Sequence, residues 1–234
     1  MSEAPAPVIL SEAKNPVGGD EGKTAACREI SKAVILSEAK NPVGGTGEIM
    51  METLPYGRIF LYYRKISAKG LRPREISTLA HGFLREKAAE LTGFPEAEFT
   101  EREAEGGKPY FAAHPEVHFN LSHSGEYILF GLAREEIGVD IQRMQSANVP
   151  RLARRVLSAE EVRQMELSAE PERFFFERFA LREAYGKYTG RGVFEGMGEP
   201  LGEGWGTNLA VVDGYAAAVF AGRPMELIFE AEEE

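Results

Sequence analysis

Two acidic residues far apart in the chain could together bind a hard metal cation. Asp140 lies near the end of a predicted strand, and Glu183 lies on a long predicted helix. Two carboxylates are the usual protein contribution to a Mg2+ ion that also binds phosphate oxygens. Each acid has an ordinary explanation by itself, since Asp forms turns and Glu183 can pair with Lys187 four residues later. Taken together they predict a phosphate-handling metal site.

The helix that carries Glu183 presents an unusual stripe toward the interior. Its members lie at i, i+4, i+7 and i+11: Phe176, Ala180, Glu183 and Lys187. The stripe begins apolar and ends in a carboxylate and an ammonium, which need partners on a buried face. Ala184 and Gly186 are small enough to allow close approach by another element or a ligand. We likewise expect Gly138 to leave open space beside Asp140.

The segment 120–125 places hydroxyls and an imidazole in a turn between two predicted strands. Such a turn can donate several hydrogen bonds to an anion. A hydrolase triad of Ser122 or Ser124, His123 and Asp140 is the alternative. It is disfavoured because adjacent residues of a strand point apart and the chain lacks a G-x-S-x-G elbow. The remaining histidines are predicted to have no functional role: His81, His114 and His118.

Four segments resemble, in order and spacing, the Sfp-type 4′-phosphopantetheinyl transferases: 107–109, 120–124, 138–140 and 179–187. The resemblance is most specific between Gly107 and Lys187 and extends loosely from about Leu54 to Phe229. It implies an α/β (α+β) fold built as a pseudodimer of two similar α/β halves, with coenzyme A in the cleft between them. It also implies transfer of 4′-phosphopantetheine from coenzyme A to a serine of an apo acyl or peptidyl carrier protein.

The resemblance further assigns roles to individual residues. Asp140 and Glu183 are expected to hold a Mg2+ that bridges the coenzyme A pyrophosphate, with Lys187 on the phosphates. Glu183 is also the expected base, acting directly or through water. Two further positions, Ser122 and His123, are expected to line the coenzyme A site. Lys108 is expected to line it as well.

The chain departs from the family pattern at three places. Gln142 stands where the family commonly has an acid, so the third metal ligand is expected to be a neutral amide or water. Phe179 and Arg182 replace the usual Trp and Lys. The N-terminal region that binds the 3′-phosphate is shortened, and three arginines are candidates to replace it: Arg72, Arg74 and Arg85. A non-catalytic homologue that binds coenzyme A or a carrier protein is therefore the alternative function.

The elements that must position these residues alternate between strand and helix patterns. Strands are predicted at 58–63, 117–121, 127–133, 137–141, 209–212, 215–220 and 225–229. Helices are predicted at 74–92 and 149–157. A third helix is predicted to begin at a capping box formed by Ser158 and Glu161, and a fourth to run from Pro171 to about Tyr188. Asp213-Gly214 predicts a two-residue type I′ turn between the strands at 209–212 and 215–220.

The predicted helix 149–157 carries a compact basic patch on an acidic protein. Arg151, Arg154 and Arg155 lie at i, i+3 and i+4 on the side away from its apolar residues. An ordinary solvated helix face is the alternative. Because the family docks its carrier protein in this region, we favour docking of an acidic carrier protein there.

The first fifty residues differ from the rest of the chain. Residues 8–19 and 34–45 are identical copies of VILSEAKNPVGG, which cannot bury enough apolar surface to form a core. We predict that residues 1–50 are a disordered duplicated extension, and that Met50 or Met51 is the authentic start. The predicted halves are then residues 51–135 and 136–234.

Composition limits the remaining possibilities. The net charge of -10 argues against general binding to nucleic acid, and the single Cys27 excludes both an internal disulfide and a zinc site of several thiolates. The apolar runs are too short to span a bilayer, and the N-terminus lacks a secretory pattern. These features predict a cytoplasmic protein without membrane or nucleic-acid partners. We also expect a monomer.

Overall fold

A four-stranded sheet forms the scaffold of the first half of the protein. The computed structural model describes residues 54–68, 70–145, 147–192 and 197–232; the predicted extension at 1–50 lies outside them. The sheet has the order β4-β5-β1-β9, with β1 at Arg58–Lys65, β4 at His118–Ser124, β5 at Tyr127–Ala133 and β9 at Glu226–Glu232. Only the β1–β9 pair is parallel. The last strand of the chain thus completes the first sheet.

Helix α1, Pro73–Thr92, covers one face of this sheet. It begins at Pro73, where the Glu75 carboxylate accepts a hydrogen bond from the Arg72 nitrogen at 2.7 Å, and it ends where Gly93 adopts a left-handed conformation. A short 3-10 helix, Glu96–Glu98, follows it. A hairpin of β2, Glu101–Glu103, and β3, Pro109–Phe111, then leads to β4. The sequence patterns did not predict this short hairpin.

A three-stranded antiparallel sheet forms the scaffold of the second half. Its order is β6-β8-β7, with β6 at Ile137–Arg143, β7 at Trp205–Leu209 and β8 at Tyr215–Ala221. Three helices lie between β6 and β7: α2 at Val149–Val156, α3 at Ala159–Leu167 and α4 at Pro171–Thr189. The predicted capping box of Ser158 and Glu161 is confirmed at the start of α3.

The protein is a stack of helix, sheet, sheet and helix, because successive side chains of each strand pack on opposite faces of its sheet. In β1, Tyr62 packs on the α1 side, whereas Ile59 and Leu61 pack against the second sheet. In β8, Val219 faces the first sheet and Phe220 faces α4. Each sheet is therefore covered by a helix on its outer face, which confirms the predicted mixed α/β class. Internal symmetry between the halves stays a prediction.

The predicted strand at 209–212 was misplaced. The strand β7 runs from Trp205 to Leu209, so residues 210–214 form a longer loop and Asp213-Gly214 does not join the two strands directly. A turn is nevertheless present at Asp213-Gly214, where the Tyr215 nitrogen donates to the Val212 carbonyl at 3.2 Å. Gly206 lies inside this strand, although glycine disfavours strand structure locally. A Cβ on Gly206 would stand 2.6 Å from the Phe220 ring, so glycine is required inside the strand. Among the described residues, no helix has both the length and the apolar character needed to cross a bilayer.

Candidate functional site

The site is assembled where α4 packs directly on β6. A Cβ on Gly138 would collide with the Ala184 carbonyl oxygen and would stand 2.6 Å from the Tyr188 nitrogen. The expectation of open space beside Asp140 was therefore wrong, because the backbone of α4 fills it. The predicted close approach of another element at the small residues of α4 is confirmed. This contact brings the end of the α4 stripe against the end of β6.

Asp140 lies at the centre of a hydrogen-bond network. Its carboxylate is buried, with 2 % of the side-chain surface exposed. The Oδ1 atom accepts hydrogen bonds from Ser122 Oγ and from Lys187 Nζ, both at 2.8 Å. The Oδ2 atom accepts one from Gln142 Nε2 at 2.9 Å. Lys187 also donates to the Val139 carbonyl at 3.1 Å. The predicted alternative of a simple Glu183–Lys187 helix pair is thus replaced by a Lys187–Asp140 pair.

Glu183 is half-buried close to the same carboxylate. Burial and, to a smaller extent, the negative charge of Asp140 raise the pKa of its carboxyl to about 7, although Lys187 acts in the opposite direction. Two acids that repel each other in a partly buried site favour a cation between them. The donor set also fits a hard cation, since it offers two carboxylates and the amide oxygen of Gln142. Among the described residues, no group of three or more His, Cys, Asp and Glu side chains could hold a metal.

Alternate residues of β4 connect the first sheet to β6. Asn120 Oδ1 accepts from the Val139 nitrogen at 2.8 Å, and Ser124 Oγ accepts from the Arg143 nitrogen at 3.0 Å. Ser122 lies between them on the same face and donates to Asp140. We call these three residues, Asn120, Ser122 and Ser124, the β4 polar row. It replaces a backbone ladder between the two strands.

The hydrolase alternative does not fit this geometry. Ser122 donates directly to Asp140, whereas a hydrolase triad requires the imidazole between the serine and the acid. His123 follows on the opposite face of β4. Burial lowers the pKa of its imidazole, and the charges of Lys187 and His81 lower it further. His123 is thus kept neutral beside Lys187.

His81 and Arg85 on α1 form a cluster that the sequence patterns missed. The His81 Nδ1 atom lies 2.6 Å from Glu101 Oε2, and Arg85 lies 3.3 Å from Glu101 Oε1. Because His81 also acts on the pKa of His123, this cluster extends toward the site. The positive charge of Arg85, a candidate for phosphate binding, is offset by Glu101. Arg72 pairs with Glu75 at an exposed position.

Lys108 lies at the junction of the halves. Its ammonium pairs with Glu136 and donates to the carbonyls of Ile137 and Tyr188, both at 3.2 Å. An ammonium has three protons, so these three acceptors occupy all of them. Glu136 also contacts His118 Nδ1 at 3.1 Å. In this structure, therefore, Lys108 links β6 to the last turn of α4.

The three arginines of α2 are exposed, as predicted. Leu152 of the same helix is 37 % exposed. It borders a cavity of about 330 Å³ with Val156 and with three rings of α4: Phe175, Phe176 and Phe179. Phe179 thus contributes an apolar wall to this cavity. The basic patch and an apolar groove lie side by side.

Comparison with known proteins points in one direction. Residues 136–203 match the sequence model of the 4′-phosphopantetheinyl transferase superfamily. A 4′-phosphopantetheinyl transferase of Bacillus subtilis is 30% identical over 112 residues, covering 47% of this chain and 50% of the relative.

Two further relatives show the same pattern. The 4′-phosphopantetheinyl transferase psf-1 of Bacillus pumilus is 36% identical over 99 residues, 41% of this chain and 42% of the relative. A holo-[acyl-carrier-protein] synthase of Cronobacter sakazakii is 39% identical over 70 residues, 30% of this chain and 56% of the relative. The chain thus spans about half the length of the curated relatives it matches. The segment 136–203 contains Asp140, Gln142, Glu183 and Lys187.

Proposed function

From the match of residues 136–203 to the 4′-phosphopantetheinyl transferase superfamily, we propose that this chain belongs to that superfamily and transfers 4′-phosphopantetheine from coenzyme A to a serine of an apo acyl or peptidyl carrier protein. The observation that carries the proposal is the convergence of Asp140, Glu183 and Lys187 where α4 meets β6. A monomeric, cytoplasmic enzyme is part of the proposal, in line with the single cysteine of the chain.

Asp140 and Glu183 would hold the metal ion, with the Gln142 amide oxygen as a neutral third ligand. When bound, Mg2+ neutralises the negative charge that develops on the phosphate oxygens. The chain's own cation is Lys187, which sits on Asp140 and is close enough to the acids to reach a phosphate bound beside them. Its ammonium and the neutral His123 would orient the pyrophosphate of coenzyme A. Lys108 would contribute to this site by holding the end of α4 in place. Arg85 would contribute a positive charge near His81, with which it shares the partner Glu101.

The reaction replaces the phosphoanhydride bond of coenzyme A by a phosphodiester bond to the carrier serine. The carrier serine oxygen forms a bond to the β-phosphorus of coenzyme A, and the bond between that phosphorus and the bridging oxygen breaks. Adenosine 3′,5′-bisphosphate leaves with the bond's electron pair, and the serine proton passes to Glu183 directly or through water. Glu183 is the candidate acceptor because its carboxyl lies beside the site, and without a bound cation burial and Asp140 raise its pKa to about 7.

We propose that the carrier protein docks on α2. Arg151, Arg154 and Arg155 offer positive charge to an acidic partner, and the groove beside Leu152 offers apolar surface. A carrier-protein helix with acidic and apolar residues on one side would match both the arginines and the groove. Charge at the rim would mainly steer the encounter, and the groove would supply buried area.

Incubation with coenzyme A, Mg2+ and an apo carrier protein, followed by intact mass spectrometry, tests the activity. The expected result is a mass gain of one phosphopantetheine, lost in EDTA and absent for a carrier whose acceptor serine is replaced by alanine. Coenzyme A binding without any mass gain would instead identify a non-catalytic binding homologue. Neither binding nor transfer would contradict the proposal altogether.

A further inference from the structure

We infer that Ser122 is a positioning residue that acts through Asp140 and does not bind coenzyme A itself, an inference that rests on the proposed function. The Ser122 hydroxyl donates to Asp140 Oδ1 at 2.8 Å, and both side chains are buried. A hydroxyl has one proton, so this bond leaves none for a phosphate oxygen. Ser122 would then have a positioning role instead of the coenzyme A contact that the family resemblance implies.

Ser122 differs from the other donors to Asp140 in where it comes from. Gln142 lies on the same strand as Asp140, and Lys187 lies on α4, which packs on that strand. Of these three donors, Ser122 alone comes from the first sheet. Its hydrogen bond therefore fixes the Asp140 carboxylate relative to β4. The other two residues of the β4 polar row accept hydrogen bonds from β6 and hold that strand against β4.

The position of the carboxylate matters for metal affinity. A carboxylate held by hydrogen bonds is already oriented, so binding an ion costs less conformational freedom. Side chains that bond to a metal ligand without touching the metal typically contribute about tenfold or more to metal affinity. Ser122 meets this description for Asp140. The Ser122 hydroxyl should then affect the metal and leave coenzyme A binding almost unchanged.

The β4 polar row provides a matched control. Ser122 and Ser124 point to the same face of one strand, and each makes one hydrogen bond to β6. The partner of Ser122 is a carboxylate, whereas the partner of Ser124 is the backbone nitrogen of Arg143. Replacing either serine by alanine removes one hydroxyl and one bond between the sheets. Only Ser122→Ala removes a bond to the proposed metal ligand.

Two affinities separate the roles. Mg2+ is titrated calorimetrically into the protein with coenzyme A present, and coenzyme A is titrated separately in EDTA. For Ser122→Ala we expect Mg2+ affinity to fall about tenfold while coenzyme A affinity in EDTA stays within about twofold. For Ser124→Ala we expect both affinities to stay at the wild-type values. If Ser122→Ala does not fold, Ser122→Cys keeps the volume and weakens the donor, and the same fall in Mg2+ affinity is expected.

Three results would overturn the inference. They are an unchanged Mg2+ affinity in the Ser122 variants, a fall in coenzyme A affinity in EDTA, and an equal loss of Mg2+ affinity in Ser124→Ala. A wild-type protein that binds Mg2+ and coenzyme A but transfers nothing would overturn the proposed function alone. A wild-type protein that binds no Mg2+ would overturn both.

Discussion

The backbone of Tyr188 occupies the space in which a side chain of Gly138 would lie, since a Cβ there would stand 2.6 Å from the Tyr188 nitrogen. The atoms in the way belong to the backbone of a long helix, which cannot yield as a flexible side chain does. This contact sets the distance between β6 and α4. The proposed metal ligands Asp140 and Glu183 depend on it, because one comes from each element.

Gly138→Ala should therefore cost about 3 kcal/mol of unfolding free energy or more, because the added methyl forces α4 away from β6. Gly82→Ala is the control: it lies inside α1, with nothing within 4 Å of the added Cβ. That change should stabilise the protein by about 0.5–1 kcal/mol. Urea denaturation measures both, and equal effects of the two variants would contradict the proposed packing constraint.

Glu183→Gln should reduce phosphopantetheine transfer about 100-fold or more, because it keeps the shape of the side chain but removes its charge and basicity. Glu177→Gln is the control, since Glu177 lies on the same helix and pairs with Arg173 at 2.9 Å. It should leave turnover unchanged. Circular dichroism should show that both variants are folded. Near-normal turnover of Glu183→Gln at saturating Mg2+ would remove Glu183 from the role of base.

Glu136→Gln tests the ionic link between Lys108 and His118. Burial alone would raise the pKa of the Glu136 carboxyl, but its bonds with His118 and Lys108 lower it to about 2. A carboxyl with a lowered pKa stabilises the fold above its ordinary pKa and loses that contribution as the pH falls toward 2. The wild type should therefore have a higher Tm than Glu136→Gln at pH 7, and the gap should narrow below about pH 4.5.

Glu135→Gln provides the control for this pH series. Glu135 is the preceding residue and pairs with Arg223, so its replacement changes the net charge equally. A gap that persists unchanged from pH 7 to pH 3 would show that Glu136 stabilises the protein by some means other than its charge.

Reversing the charges of Arg154 and Arg155 to Glu should raise KM for the carrier protein about tenfold at low salt, which corresponds to about 1.4 kcal/mol. The effect should shrink above about 0.1 M salt because screening shortens the range of the interaction. KM for coenzyme A should stay constant. Arg163→Glu, on the exposed face of α3, should change neither value. Equal effects on both substrates would place the carrier site elsewhere.

The sequence predicts which residues form the candidate site better than it predicts the contacts that hold them in place. Residue type and spacing were enough to single out Asp140, Glu183 and Lys187. The bond between Ser122 and Asp140 could not be predicted, because it joins two strands that share no backbone ladder. The strand β7 was misplaced for a related reason: Gly206 discourages a strand locally, and the packing of Phe220 requires it there.

Parallel pairing of β1 with β9 has a mechanical consequence. Arg58 lies opposite Glu226 and Arg64 lies opposite Glu232, so the start of β1 and the end of β9 are at opposite ends of the pair. A force pulling the described part of the chain apart at its two ends would load these hydrogen bonds in shear, all at once. Antiparallel neighbours pulled from one end would instead open one bond at a time. The first sheet is therefore closed by a strand pair whose hydrogen bonds share such a load between them.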